Sequence, residues 1–375
     1  MITFNRPYLT GKEIHYIRQA HRRAQLAGDG FFTRQCQGWL EKNLGCRKAL
    51  LTHSCTSALE MAALLAGIEP GDEVIMPSFT FVSTANAFVL RGAVPVFVDI
   101  RPDTLNLDEK LIERAITKKT RAIVPVHYAG VGCEMKSILA LAKKHGLLVI
   151  EDAAHCLGAT YRGKELGTWG DFGTLSFHET KNIISGEGGA LLINNPAYMD
   201  RAEIFWQKGT NRRDFQQKKA DKYTWVDRGS SFLPGEITAA FLWAQLQQSR
   251  KINALRREIW NRYDRLFAGL EEAGQARRPR LPEYTAHNAH MFYLLLPSRA
   301  LRDQAIHVLK KAGLQAVFHY VPLHSSPAGR RWGRPSGKLE VTNRVADTIL
   351  RLPFWIGLPT RIQVKICRAL EDLVK

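Results

Sequence analysis

Three short polar segments each follow an apolar run, and their residue types could together build one reaction site. They are residues 53–57, residues 151–155 and residues 176–182. Hydroxyls and backbone N–H groups at the start of a helix bind anions, and the first segment offers both. A lysine in apolar surroundings has a lowered pKa and becomes nucleophilic, as Lys181 could. A carboxylate beside an apolar run requires a partner, and a cationic ring nitrogen would satisfy Asp152.

Each segment also has an ordinary structural explanation. Serine and threonine are common N-caps, so residues 53–57 alone do not distinguish a cap from an anion site. Asp152 could equally cap the next turn, and Phe81 is typical of a core residue as well as of a ring that stacks on a flat ligand. The combination favours pyridoxal phosphate (PLP), because its aldehyde binds a lysine, its ring nitrogen pairs with an acid and its phosphate requires an anion site.

The elements around these segments predict an α/β fold. Seven apolar or β-branched runs are typical of strands buried on both faces: residues 49–52, 73–76, 94–99, 122–126, 147–150, 173–177 and 190–193. Helical patterns at 57–66, 108–117 and 135–145 alternate with the early strands, which predicts a largely parallel sheet. The last strands are too closely spaced for helices, so we expect a mixed sheet. Ligands of such sheets bind at the carboxyl ends of strands, where the candidate residues stand.

The pattern changes after about residue 245. We predict a large domain over residues 1–245 and a smaller α+β domain over residues 246–375, against which the N-terminal segment could pack. The elements predicted for the smaller domain after its first long helix are a strand at 291–296, a helix at 301–312, a strand at 314–320 and a helix at 361–374.

Composition excludes several classes of protein. Apolar residues make up 45% and charged residues 23% of the 375 residues, as in ordinary globular proteins. The sequence contains no run of 18 apolar residues that would predict a membrane span. The first residues lack the apolar region of a secretory signal. The six cysteines are dispersed without a C-x-x-C pair, which favours reduced thiols. We therefore expect a cytoplasmic protein.

The net charge of +18 attracts anions of any kind. Basic residues occur in short pairs, and no recognised nucleic-acid motif is present, so no nucleic-acid partner is predicted. A cofactor-free binding protein drawn to anionic polymers is the alternative that charge alone supports. The histidines His127, His178, His319 and His324 fit no standard ligand spacing, and we predict no metal site.

Six segments together resemble the DegT/DnrJ/EryC1/StrS family of sugar-nucleotide aminotransferases: residues 56–59, 77–84, 125–130, 151–155, 176–182 and 186–189. The resemblance covers essentially the whole chain. It implies a PLP-dependent, aspartate-aminotransferase-like (fold type I) α/β protein, with a seven-stranded, mostly parallel mixed sheet and a smaller α+β C-terminal domain. It also implies a homodimer whose active sites lie at the subunit interface.

The resemblance implies a role for each of seven residues: Schiff-base formation and proton transfer by the catalytic Lys181, a contact to the pyridine nitrogen by Asp152, a contact near the ring hydroxyl by His155, ring stacking by Phe81, and phosphate contacts by Thr56, Ser57 and Ser176. Many relatives carry an Asn, and an Arg or a second Asn, in a loop that reaches the partner's phosphate. Here that loop, residues 229–236, lacks both, and Ser231 is the candidate replacement. A dehydratase branch of the family replaces the lysine with histidine, so Lys181 favours transamination.

Further segments at 28–34, 208–212, 221–225 and 288–293 resemble the members that make dTDP-4-amino-4,6-dideoxygalactose for enterobacterial common antigen. They imply transfer of an amino group from L-glutamate to dTDP-4-dehydro-6-deoxyglucose, a 4-keto-6-deoxy sugar nucleotide. Another sugar-nucleotide 3- or 4-aminotransferase of the same family is the alternative. The resemblance also places residues 319–324 near the substrate pocket.

Overall fold

The centre of the molecule is a mixed sheet of eight strands. The computed structural model describes residues 1–216 and 218–374. From edge to edge, with strands numbered along the chain, the order is β1 (Lys48–Thr52), β9 (Gly189–Ile193), β8 (Phe172–Ser176), β5 (Leu148–Asp152), β4 (Thr120–Ile123), β2 (Glu73–Pro77), β3 (Val94–Val98) and β12 (Arg334–Pro335). The seven runs predicted as strands form seven of these, and the two-residue β12 adds an eighth at one edge.

Only β9 runs against its neighbours among the described strands of this sheet. It is antiparallel to β1 and to β8, whereas the other neighbouring pairs are parallel. Two small sheets complete the strands: β6 (Thr160–Tyr161), β7 (Lys164–Glu165) and β10 (Thr285–Ala286) form one, and β11 (Tyr293–Leu295) pairs with β13 (Ile349–Arg351) in the other. The predicted fold class, a mostly parallel mixed sheet in an α/β protein, is confirmed.

Helices cover both faces of the large sheet and build the C-terminal part of the chain. They are α1 (Glu13–Arg22), α2 (Phe31–Leu44), α3 (Cys55–Leu65), α4 (Val82–Val89), α5 (Met135–His145), α6 (Met199–Trp206), α7 (Arg212–Gln216), α8 (Glu236–Leu246), α9 (Ser249–Leu266), α10 (Ala268–Glu272), α11 (Arg299–Lys311), α12 (Pro327–Trp332), α13 (Glu340–Thr348) and α14 (Thr360–Val374). No helix in the described ranges is long and apolar enough to cross a lipid bilayer.

The alternation of side chains along the strands explains the two-sided burial. In β2, Ile75 packs into the apolar cluster on one face, while Val74 and Met76 pack into the cluster on the other. Because both faces are covered, nearly every strand residue is apolar, and this is the pattern that predicted the strands. A third apolar cluster joins α9, α11 and α14, and Ile2 packs against it. The domain division at residue 245 stays a prediction.

Two of the predicted elements are wrong. The helix predicted over 108–117 is replaced by the 3₁₀ turns Glu109–Leu111 and Glu113–Ala115. The buried Ile112 and Ala115 are three residues apart, a spacing that suits a 3₁₀ turn as well as an α-helix. The strand predicted over 314–320 is reduced to isolated bridges, in which Leu314 pairs with Ile2 and Val317 pairs with Arg351.

Candidate active site

A cavity of about 430 Å³ opens at the carboxyl edge of the large sheet, next to the start of α3. Six of the seven predicted site residues line it: Thr56, Phe81, Asp152, His155, Ser176 and Lys181. They come from segments far apart in sequence, and the sheet brings them together because β5 and β8 are adjacent and parallel. The seventh, Ser57, is not among the lining residues.

The start of α3 forms one wall of the cavity, where the sequence predicted an anion site. Ser54 is the N-cap, and its Oγ accepts a hydrogen bond from the backbone N–H of Ser57 at 3.1 Å. The Ser57 hydroxyl lies 3.2 Å from Ser54 Oγ, so it belongs to the cap. Thr56 instead lines the cavity, where its hydroxyl lies 2.7 Å from that of Ser83. A side chain at Gly189 would collide with the backbone of residues 54 and 55, so only glycine lets β9 lie against this helix start.

Asp152 is a nearly buried carboxylate at the end of β5 that is bound only by neutral donors. It is 6% exposed. Its Oδ2 accepts a hydrogen bond from the Thr84 hydroxyl at 2.7 Å, and its Oδ1 accepts one from the backbone N–H of Ala154 at 3.1 Å. Since Thr84 gives its proton to Asp152, the Thr80 hydroxyl, 2.8 Å away, donates to Thr84. Asp152 forms no direct ion pair within the described residues, although the charge of Lys181 acts on it in the same cavity, so a cationic ligand group could bind its carboxylate directly.

Lys181 lies in the loop after β8 and faces the same cavity. Burial lowers the pKa of its amine, and the positive charge of Arg351 acts in the same direction. Cys55 and Asp152 raise that pKa and offset part of the effect. The result is a larger share of neutral, nucleophilic amine than an exposed lysine has.

His155 forms a stacked pair with His290, a residue that sequence reasoning missed. The ring centroids are 4.2 Å apart and the planes differ by 18°. Burial lowers the pKa of His155 well below its usual range, and the charges of Lys181 and Arg351 add to this, so its ring is neutral. The backbone N–H of Ala129 donates to its Nδ1 at 3.4 Å. The proton of the neutral ring is therefore on Nε2.

A chain of amide side chains fixes the ring of His290. Asn253 donates to the carbonyl of Leu157 at 2.9 Å, which turns its Oδ1 towards Asn182. Asn182 donates to that oxygen at 2.9 Å and to the carbonyl of Asn288 at 2.8 Å. Its own Oδ1 thus accepts from His290 Nδ1 at 3.0 Å. Burial, together with nearby positive charges, lowers the pKa of His290 well below its usual range.

Ser176 and Phe81 lie at the rim of the cavity. Ser176 is the last residue of β8, and its hydroxyl accepts a hydrogen bond from the backbone N–H of His178 at 3.4 Å. Phe81 precedes α4 and is 56% exposed, so it is not the core residue that its type also allowed. Its ring centroid is 6.5 Å from that of Tyr320. A flat ligand at this position would meet an aromatic face.

The C-terminal part of the chain closes the cavity with residues that carried little sequence signal. His319 and Tyr320 line it, as the resemblance implied for this segment, and Arg351 from β13 lies beside them. His324 does not line it, and its Nδ1 lies 2.7 Å from the Ser78 hydroxyl. Arg351 stands between two leucines in a short strand, a context that gives no indication of a site.

Other polar candidates have structural roles. His127 and Glu151 form a fully buried pair with 2.9 Å between Nε2 and Oε2, and Glu151 also accepts the backbone N–H groups of Gly167, Trp169 and Gly170. Ser231 is exposed and lies outside the cavity lining, so its contact to a partner's phosphate stays a prediction.

The mixed sheet and the lysine-bearing cavity at its carboxyl edge are those of a fold type I transferase that uses PLP. The chain belongs to the DegT/DnrJ/EryC1/StrS aminotransferase family, which it matches over residues 7–371. It is therefore a PLP-dependent transaminase, and the cofactor-free alternative is wrong.

Similar proteins are found at nearly full length. GDP-perosamine synthase of Caulobacter vibrioides is 34% identical over 377 residues, which is 98% of this chain and 97% of that protein. The spore coat polysaccharide biosynthesis protein SpsC of Bacillus subtilis is 31% identical over 359 residues, 90% of this chain and 92% of that protein. The solved structure of protein Spr1654 from Streptococcus pneumoniae in its PMP form has a TM-score of 0.92 at 27% identity, covering 100% of this chain and 99% of that one.

The residues present fit the PLP that these comparisons establish as cofactor. The start of α3 offers backbone N–H groups and the Thr56 hydroxyl to a phosphate. Asp152 offers an unneutralised carboxylate to a protonated ring nitrogen, and Lys181 offers an amine of lowered pKa to the aldehyde. When bound, PLP withdraws electrons from the carbon that carries the transferred amino group.

Proposed function

We propose that this chain transfers the amino group of L-glutamate to the keto carbon of a 4-keto-6-deoxy sugar nucleotide. The reaction converts dTDP-4-dehydro-6-deoxyglucose into dTDP-4-amino-4,6-dideoxygalactose, in the synthesis of enterobacterial common antigen. The observation that carries the proposal is the joint presence of Lys181, Asp152 and the start of α3 in one cavity. Relatives named for GDP-perosamine and for pseudoaminic acid synthesis support a nucleotide-linked amino sugar as product.

The chain's own residues divide the work of this reaction. Lys181 is the catalytic residue: its neutral amine would remove the proton from the donor carbon and deliver it to the former aldehyde carbon of the cofactor, as general base and then general acid. Asp152 holds a proton at the pyridine nitrogen, and Thr84 keeps its carboxylate in place. His155, with its Nε2–H, donates to the ring hydroxyl.

The remaining residues bind the cofactor and orient it towards the substrates. Thr56 and Ser176 bind the phosphate through their hydroxyls at the cavity wall. The phosphate contact of Ser57 stays part of the proposal, although its backbone N–H and its hydroxyl both lie against Ser54 Oγ. The exposed ring of Phe81 would stack on the cofactor ring. The excess of 18 positive charges favours the approach of a nucleotide diphosphate, although it does not select the base or the sugar.

Homodimer formation and a cytoplasmic location belong to the same proposal. The segment around Tyr223, Trp225 and Val226 exposes large apolar side chains, with Trp225 79% exposed, and a second subunit would cover them. All six cysteines are unpaired, as in proteins of a reducing compartment.

A substrate panel tests the reaction and separates it from the alternative in the same family. Purified holoenzyme is incubated with L-glutamate and with 4-keto or 3-keto sugar nucleotides that differ in base and epimer. We expect an amino sugar from dTDP-4-dehydro-6-deoxyglucose, identified by mass spectrometry, with the galacto configuration in the NMR spectrum. Turnover of a 3-keto substrate instead would assign the chain to the alternative sugar-nucleotide aminotransferases.

A further inference from the structure

A second cavity, of about 460 Å³, lies outside the active site in the C-terminal part of the chain. The loop after α10, the end of β11, α13 and Pro102 from the loop after β3 surround it. None of the described residues that line it also lines the active-site cavity. We call it the arginine cavity, because Arg277, Arg280 and Arg344 line it. Its volume is in the range of cavities that bind small molecules.

The local backbone separates the arginines of this loop into two groups. Arg277 exchanges two backbone hydrogen bonds with Leu295, each of 2.9 Å, so the chain is extended here and runs beside β11. Successive side chains of extended backbone point to opposite sides. Arg277 and Arg280 thus line the cavity, whereas Arg278 does not line it and donates from Nε to Glu271 at 2.9 Å.

The positive charges of the arginine cavity are only partly neutralised. Glu271 is the one carboxylate among the described residues that line it, and it accepts hydrogen bonds from the backbone N–H and the Nε–H of Arg278. Arg280 shares this carboxylate at 3.3 Å. Arg277 and Arg344 form none of the ion pairs found in the part of the chain that the structure describes. Two guanidiniums therefore lack an acidic partner.

The three guanidiniums lie close enough to act on one another. Burial lowers the pKa of Arg277, and the charges of Arg280 and Arg344 act in the same direction. Asp103 acts in the opposite direction, but both of its oxygens already accept hydrogen bonds from Arg101, at 2.7 and 2.9 Å. Repulsion of this kind is relieved when an anion binds between the cations.

The rest of the lining is largely apolar and indicates what the anion carries. Leu295, Leu296, Pro297 and Val345 contribute to it. A single inorganic anion would leave this apolar surface in contact with water. Three arginines against one shared glutamate also favour a ligand with more than one negative charge. The lining therefore fits an organic anion that has several charges at one end and an apolar or flat group at the other.

We propose that the arginine cavity is a second anion site, which binds a small organic diphosphate of the nucleoside diphosphate class through Arg277, Arg280 and Arg344. An arginine binds phosphate oxygens in the plane of its N–H groups, so three arginines hold both phosphoryl groups in a defined orientation. The nucleoside lies against the apolar lining. The assignment does not rest on the proposed function, because the residues of this cavity are separate from those of the active site.

Calorimetric titration of holoenzyme with uridine diphosphate (UDP) tests the site. PLP fills the cofactor's own phosphate site in this protein, and uptake of nucleotide by the active site is identified as the part that the variants leave unchanged. We expect R277Q and R344Q each to weaken UDP binding at one site by about 10- to 100-fold, the loss typical of a charge-assisted hydrogen bond. R368Q removes an exposed arginine of α14 and is the matched control for net charge, with no change expected.

Two further measurements define the ligand and the place. Inorganic pyrophosphate should bind the wild type about 10-fold more weakly than UDP, because it lacks the apolar part. Hydrogen exchange of the backbone should slow in residues 274–280 when UDP is added to the wild type, and should not change in R344Q. Arg344 is exposed, so R344Q tests the site without altering the half-buried Arg277. The visible absorbance of bound cofactor reports whether each variant is folded.

Equal affinities of the wild type, R277Q and R344Q for UDP would overturn the assignment, since all bound UDP would then lie elsewhere. An equal loss in R368Q would also overturn it, because net charge alone would explain the binding. Pyrophosphate that binds as tightly as UDP would overturn the organic ligand and leave a site for inorganic anions. Failure of the substrate panel would leave these results untouched, so the two proposals fail separately.

Discussion

The two walls of the cavity differ in how their residues are distributed along the chain. The sheet wall takes its residues from contiguous segments at strand ends, including Thr56, Asp152 and Lys181. The C-terminal wall takes single residues from separate elements, among them His290 and Arg351. In our proposal the sheet wall binds the cofactor. The residues proposed for the cofactor chemistry thus lie on the sheet wall, and the C-terminal wall faces them across the cavity.

Replacing Lys181 with alanine tests the sheet wall and has the largest expected effect. The variant should lose the visible absorbance of bound cofactor and about 10⁴-fold or more of its transamination rate, since no other amine lines the cavity within the described residues. Absorbance spectra with added PLP and product formation in single turnover measure the two losses.

Lys338→Ala is the control for this variant, because the Lys338 side chain is 89% exposed. It should match the wild type in both measurements. A Lys181→Ala protein that keeps its rate would remove the distinction between the walls, because the sheet wall would then lack its reactive group.

The sheet wall could be predicted for a physical reason that does not apply to the other wall. Buried parallel strands have a sequence pattern, and the residue after each strand end must lie at one edge, so Asp152 and Lys181 were placed together without a structure. No sequence pattern marks Arg351 as a site residue, because a single arginine between two leucines is compatible with any short strand. Likewise, Asn182, Asn253 and His290 are linked only by hydrogen bonds across 71 and 108 residues of sequence separation.

Ser57, for which the resemblance implied a phosphate contact, has its side chain beside the N-cap Ser54, so that contact stays a prediction. The same reasoning explains the predicted elements that are wrong. The segment 108–117 has apolar residues at a spacing that two kinds of helix share, so the sequence pattern could not choose between them. Apolar patterns that repeat along a strand or helix could be predicted from the sequence, whereas single contacts between distant residues could not.

His290→Phe tests the C-terminal wall and has an intermediate expected effect. Phenylalanine keeps a ring against His155 but cannot donate to Asn182, whose oxygen would be left without its partner. We expect a loss of about 1–3 kcal/mol in the free energy of unfolding, from urea titration. The transamination rate should fall by about 10-fold, because His155 loses a fixed neighbour.

His287→Phe is the matched control, since His287 lies three residues away, contacts the Trp260 ring and does not line the cavity. If both variants lose activity equally, the effect comes from the segment and not from the stacked pair, and the C-terminal wall has no role in positioning His155.

The smallest expected effect joins the two walls through the pKa of Lys181. Apoprotein reacts with PLP only through the neutral amine, so the rate of appearance of the visible absorbance should rise with pH to a midpoint below the ordinary lysine value of 10.5. Burial and Arg351 both lower that pKa, so R351Q should move the midpoint to higher pH, whereas R368Q should not. A midpoint that stays in place in R351Q would mean that the guanidinium does not act on the amine, and the walls would then be electrostatically independent. A shift to higher pH would instead mean that a residue of the C-terminal wall helps to keep the reactive amine of the sheet wall neutral.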